Sequence, residues 1–173
     1  VDVLPDNLKP GLREAGGDVP GLYSDGCHQW FKTTVKKRCI FGDPNGTVTI
    51  ALWGDSHAAQ WFAPLEAIAT IRHWRLLAMT QGGCPYLDVP TFNESANAPL
   101  ENCAPWRDSA RAFMVEQHVA VVFVSQAYAE VAFSTRQPIA ADDWTGHLPE
   151  VLNGLRADGI EPIVLGDAAD PTA

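Results

Sequence analysis

The chain has 173 residues, 46% of them apolar, enough to bury the core of one α/β domain and too few for two ordinary ones. Twelve basic residues stand against 21 acidic ones, and the resulting net charge of −9 repels a phosphate backbone and argues against nucleic acid as a partner. No apolar run reaches the roughly 20 residues that a bilayer span requires.

The first 46 residues are punctuated by glycine and proline, from Pro5, Pro10 and Gly11 to Gly42, Pro44 and Gly46, with little periodicity. That pattern predicts an irregular N-terminal extension over 1–46, with one short helix near Leu8 to Ala15. Lys32, Lys36, Lys37 and Arg38 read as a solvated face, with a hold on an anionic glycan as the weaker alternative.

From Thr47 onward the elements alternate. The sequence predicts a strand over 47–53, a helix within 57–72, a strand near Arg75 to Met79 and a long loop from Thr80 to about Cys103. A helix around Pro105 to Glu116, a strand over Val119 to Val124, a helix around Trp144 to Asp158 and a strand over Ile160 to Leu165 follow. Strands alternating with helices predict an α/β domain over 47–173 built on a doubly wound parallel sheet. Trp61, Leu65, Ile68 and Arg72 share one helical face that is expected to cover the sheet, while Pro64 either kinks that helix or opens a later segment.

Cys27 and Cys39 have eleven residues between them, Cys84 and Cys103 eighteen, and both pairs lie in loop-like surroundings. Two local disulfides are the simplest of the three connectivities, each removing loop-closure entropy worth about 3 kcal/mol in the chain-entropy model. No pair has the C-x-x-C spacing of zinc ligands, so neither a metal nor another cofactor is expected. Disulfides persist in oxidising compartments, which predicts an extracytoplasmic location with the Cys27–Cys39 bridge pinning the extension.

The chemistry concentrates where the β-branched strand Thr47 to Trp53 ends in Gly54, Asp55, Ser56 and His57. A hydroxyl at the carboxyl end of a strand lies where open α/β sheets place their sites, and the following helix amides suit an oxyanion. Ser56 is therefore the candidate nucleophile. The same residues also suit a helix start, because Asp55 and Ser56 are both good N-caps and Gly54 fits a tight turn. A serine nucleophile needs a base, and none of the five histidines is an obvious one. His57 follows the nucleophile directly and is better placed as a substrate contact, since adjacent helical side chains diverge. Ser125 is favoured by its strand-end position, and Asp167 reads either as a site residue or as a cap for a following element. Trp53, Trp61 and Trp74 read as core or interface aromatics; Trp30, Trp106 and Trp144, in looser segments, are the better candidates for carbohydrate contact.

The string Ile50 to Leu65, I-A-L-W-G-D-S-H-A-A-Q-W-F-A-P-L, resembles the nucleophile block of SGNH/GDSL hydrolases. More narrowly it resembles the extracytoplasmic SGNH domain fused to integral-membrane acyltransferase-3 proteins of bacteria. Met79 to Pro85 (M-T-Q-G-G-C-P) is similar to that subfamily's second block, Ile163 to Asp167 (I-V-L-G-D) to its fourth strand, and the extension carrying Cys27 and Cys39 is similar too. The likeness covers most of the chain, and the first block is its specific part.

The resemblance implies a flavodoxin-like three-layer sandwich around a central parallel sheet, with Ser56 as nucleophile supported by Asp55. It also implies an oxyanion hole from the serine amide with a Gly and an Asn, and a histidine in a D-x-x-H motif. By position Gly82 or Gly83 matches the second block's glycine. The third block departs, because G-x-N-D is replaced by Ser125, Gln126, Ala127 and Tyr128. Either Ser125 or Gln126 supplies the missing donor, or the hole has one donor fewer, a loss worth about 3 kcal/mol in other enzymes. No D-x-x-H follows Ser56 in the sequence, so the expectation is a fragment whose base lies beyond Ala173.

The implied activity is O-acyl transfer, of acetyl in the first instance, to a cell-envelope or exported glycan. The expected partners are that glycan acceptor and an integral-membrane acyltransferase domain of the same full-length chain, which tethers the domain on the extracytoplasmic side. The alternatives are a secreted carbohydrate esterase and a non-catalytic glycan-binding module.

Overall fold

The computed structural model describes residues 10–31, 38–94, 96–127, 132 and 135–167. Leu8, Lys9, Lys32, Lys36, Lys37, Tyr128 and the stretch 168–173 lie outside the described residues.

Strand β3 (Val48–Gly54) is buried from Thr49 to its end, a pattern that only a strand covered on both faces sustains. β4 (Trp74–Gln81) and β7 (Val121–Ser125) flank it in parallel, and β8 (Glu161–Val164) adds in parallel to β7. Alternate side chains then feed two cores. Ile50 and Leu52 meet Phe62, Leu65 and Ala69 of helix α2 (Phe62–Arg72). Ala51 and Trp53 pack on the opposite face among residues of α3 (Cys103–Glu116) and α4 (Ala141–Ala157). The result is the expected three-layer sandwich.

A 3₁₀ turn over Ala58–Trp61 leads into α2, and Pro64 sits at its third position, where a missing N–H breaks no intrahelical bond. The covering face of α2 differs from the expected Trp61, Leu65, Ile68, Arg72 stripe. Phe62, Leu65 and Ala69 are buried while Ile68 and Ile71 are exposed. The small Ala69 turns inward because the chain at Gly42 crosses it closely: a Cβ added to Gly42 would stand 2.9 Å from the Ala69 Cβ.

The segment read as irregular contributes two strands to the sheet. β1 (His28–Gln29) runs parallel along Thr80 and Gln81 of β4, and β2 (Cys39–Gly42) runs antiparallel along Arg75 to Ala78. Both use the edge of β4 that β3 leaves open, and the Cys27–Cys39 disulfide clasps them where they meet. Strands of two and four residues are too short for alternation to show in the sequence. In place of the helix near Leu8 to Ala15, the described residues hold a 3₁₀ turn at Ala15–Gly17 and the single-turn α1 (Gly21–Ser24), whose Leu22 is fully buried. The second disulfide, Cys84–Cys103, ties the loop after β4 to the start of α3. Within that loop β5 (Phe92–Asn93) and β6 (Ala98–Pro99) form a small antiparallel pair.

His28 is buried at the head of β1, its Nδ1 3.0 Å from Oγ1 of Thr80, its partner in the register. Burial lowers the pKa of the ring from 6.5 to about 4. As the pH falls the unfolded chain therefore binds the proton first, and stability present in full above pH 6.5 is lost on the way to pH 4. Chemical denaturation at neutral pH and near pH ~5 is expected to show this loss, and a smaller one in His28→Gln, which has no proton to gain. An equal loss in the variant would show that another group titrates.

Candidate active site

The carboxyl edge of the sheet is assembled around close contact between the ends of β3 and β7. A Cβ on Gly54 would stand 1.9 Å from the Ser125 carbonyl oxygen and 2.9 Å from the Ala58 Cβ, so no other residue fits there without moving backbone. The chain then turns at Asp55, which has no exposed surface. One oxygen of its carboxylate accepts the His57 N–H at 2.8 Å and, more weakly, that of Ala58 at 3.4 Å; the other accepts the Ala127 N–H at 2.7 Å. Asp55 thus holds the turn after β3 and the segment after β7 to one point. Burial pushes its pKa up, and the backbone N–H groups of Ala127 and His57 pull it back.

That arrangement separates the two roles the sequence left open at this junction. Asp55 performs the cap. Ser56 is half-buried, and among the described residues its hydroxyl has no hydrogen-bond partner. Two tyrosines stand within reach of the Asp55 charge. Burial and then that charge raise the Tyr23 phenol, and the same two causes push Tyr86 up to about 12.

His57 finds a partner 110 residues away. Its Nδ1 lies 2.5 Å from Oδ1 of Asp167, just past β8, with the imidazole 37% exposed and the carboxylate 11%. The carboxylate can only accept, so the hydrogen of this contact is on Nδ1, and the ring is held with Nε2 pointing away from Asp167. Beside this pair Trp61 Nε1 donates to the Gly166 carbonyl at 3.2 Å, tying the 3₁₀ turn to the same strand end. Asp167 therefore faces the junction; the element it was expected to cap lies outside the described residues.

The donor candidates differ in what they already do. The Gly82 N–H is given to the Gln29 carbonyl at 2.7 Å, whereas Gly83 is half-buried with φ +70°. The Ser125 hydroxyl is buried and, among the described residues, without a partner. Gln126 is half-buried, and its side-chain oxygen accepts the Leu87 N–H at 3.4 Å, leaving its NH₂ as a donor. Two other histidines serve elsewhere: His73 closes α2 in the left-handed region and pairs with Asp43, while His147 is exposed on α4. Of the three tryptophans favoured for carbohydrate, Trp106 is core and Trp144 packs against it, because α3 and α4 turn both inward; Trp30 alone is open, at 61%.

A family model for the SGNH domain fused to AT3 domains matches residues 26–172. The chain belongs to that family. Among solved structures it is similar to the periplasmic domain of a lipopolysaccharide acetyltransferase of Salmonella ser. Paratyphi A, at 17% identity and a TM-score of 0.54. The likeness covers 70% of this chain and 45% of that one, and it is a likeness of fold; the chain spans less than half the length of the structure it matches. No curated protein matches the chain.

Sequence reasoning left two features of this SGNH domain unfound, the His57–Asp167 pair and the bond from Ala127 to Asp55. Both join strand ends far apart in the chain, and spacing carries no signal for such contacts. Asp55→Ala would strand the His57 and Ala127 N–H groups and is expected to cost about 3 kcal/mol in urea denaturation. A loss under about 1 kcal/mol would show that the SGNH junction holds without the carboxylate.

Proposed function

We propose that this SGNH domain is the extracytoplasmic part of an O-acyltransferase that moves an acyl group, acetyl in the first instance, onto a cell-envelope or exported glycan through Ser56. The observation that carries the reading is Ser56 itself, partly exposed just past the carboxyl end of β3, where Asp55 takes over the capping of the turn. Membership of a family fused to AT3 domains supports a membrane acyltransferase domain as the source of the acyl group. The two disulfides and the fold shared with a periplasmic domain support an extracytoplasmic location.

In this scheme the Ser56 oxygen attacks the acyl carbonyl of the donor, and the donor's leaving group departs to give an acyl-serine. A glycan hydroxyl then attacks the acyl-serine, and the Ser56 oxygen leaves. No D-x-x-H follows Ser56, and the one at Asp25 to His28 has its histidine buried against Thr80, so the base that takes the Ser56 proton is assigned to another segment of the full protein. The oxyanion is held by the Ser56 amide and the Gly83 amide, since that of Gly82 is engaged by Gln29, and by the Gln126 NH₂ in the place of the expected asparagine. Ser125, with its hydroxyl beneath the edge, is a packing residue in this reading. His57, fixed by Asp167, presents Nε2 as an acceptor for a substrate hydroxyl.

In the full-length protein, Ser56→Ala is expected to abolish both fluorophosphonate labelling and glycan acylation, the latter by at least about 10³-fold. Wild type that takes no label, or a variant that still transfers, would favour the non-catalytic glycan-binding module. Asp167→Asn keeps an oxygen but loses the charge that sets the imidazole. It is expected to raise the KM for glycan by about fivefold to tenfold, with acyl-serine formation unchanged. Slower acylation with an unchanged KM would move His57 from substrate contact to the first chemical step.

A further inference from the structure

We propose that the exposed ring of Trp30 is a stacking platform for a pyranose unit of the acceptor glycan, one that lies beyond the unit being acylated. The assignment rests on the acyl-transfer reading for its coupling to Ser56, but not for the binding itself.

Position is the first support. His28, Thr80 and Gly54 lie side by side in the register of β1, β4 and β3, all of which run in parallel, so the residues after each strand emerge on one rim. Trp30 follows β1 by one residue and Ser56 follows β3 by two. Two strand spacings separate them laterally, about 10 Å, roughly the length of a disaccharide.

Rigidity is the second. The backbone on both sides of Trp30 is fastened: the Gln29 carbonyl accepts the Gly82 N–H at 2.7 Å, and the Phe31 carbonyl accepts the Asn102 amide at 2.5 Å. The ring is braced edge-on by Tyr23, 6.3 Å between centroids, and by His28 at 5.8 Å; Tyr23 and His28 are themselves 4.4 Å apart. A single exposed aromatic on a surface is ordinary. One held on both sides of its backbone, backed by two rings and left open on the rim of a nucleophile is preorganised for a flat partner, because ordering it costs little on binding.

The chemistry selects a sugar ring. A pyranose offers an apolar C–H face to stack on the indole while its hydroxyls stay in water, and that contact needs no charge. In a chain of net charge −9 such a neutral contact is favoured over one to an anionic group.

The test uses the full-length protein with mono-, di- and trisaccharides of glucose, galactose, rhamnose and N-acetylglucosamine. Binding is read in the Ser56→Ala protein from the Trp30 indole resonance, and transfer is read in the wild type. The di- and trisaccharides of at least one sugar are expected to shift that resonance. Trp30→Ala is expected to raise the KM for those acceptors by about fivefold to tenfold, leaving kcat, acyl-serine formation and the monosaccharide KM unchanged, with Trp30→Phe restoring most of the loss. A resonance that no sugar moves, or a KM for longer acceptors indifferent to Trp30→Ala, overturns the platform. Sugar binding at Trp30 in a protein whose Ser56 takes no acyl group would leave the platform standing and overturn the transfer reading instead.

Discussion

The Asp55 carboxylate, buried without exposed surface, is the point on which the site's geometry turns. A carboxylate in that position is costly unless its oxygens are satisfied, and here the satisfying groups are backbone N–H donors from two different chain segments. The cost of burial and the order of the site are therefore the same interaction seen from two sides. Because Ala127 lies after β7 and His57 after β3, the carboxylate fixes the two strand ends against one another where Gly54 already brings their backbones into contact.

From that anchor the rim is built outward in both directions. Toward β8, Asp167 fixes the imidazole next to the serine and the Trp61 indole fastens the 3₁₀ turn, so the strand most distant in sequence still shapes the surroundings of Ser56. Toward β1, Gln29 fastens Gly82 and His28 lies under Tyr23, which makes the N-terminal region part of the working edge. That region is better regarded as sheet than as an appendage, since it fills the edge of β4 that would otherwise be unpaired.

The strong elements were legible in the sequence for a physical reason. β3 and β7 are apolar runs, and α3 and α4 have long periodic faces, so each declares itself locally. Ser56 stands out as a candidate because a strand, a tight turn and a hydroxyl occur together within ten residues. What remained hidden was set by contacts between distant segments. β1 and β2 are defined by β4 and a disulfide, the inward face of α2 by the crossing of Gly42, and the His57–Asp167 pair by the convergence of β3 and β8. The division of labour between Asp55 and Ser56 needed coordinates for a similar reason, since both residue types cap equally well and only the direction of the carboxylate decides.

The clasp between Cys27 and Cys39 has a consequence in time as well as in space. It sits where β1 and β2 meet, and a bond of that kind forms only where thiols are oxidised. β1 pairs with β4 over only two residues, so the β1 side of the rim is locked once that bond has formed. Maturation of this edge is thus tied to a change of chemical environment.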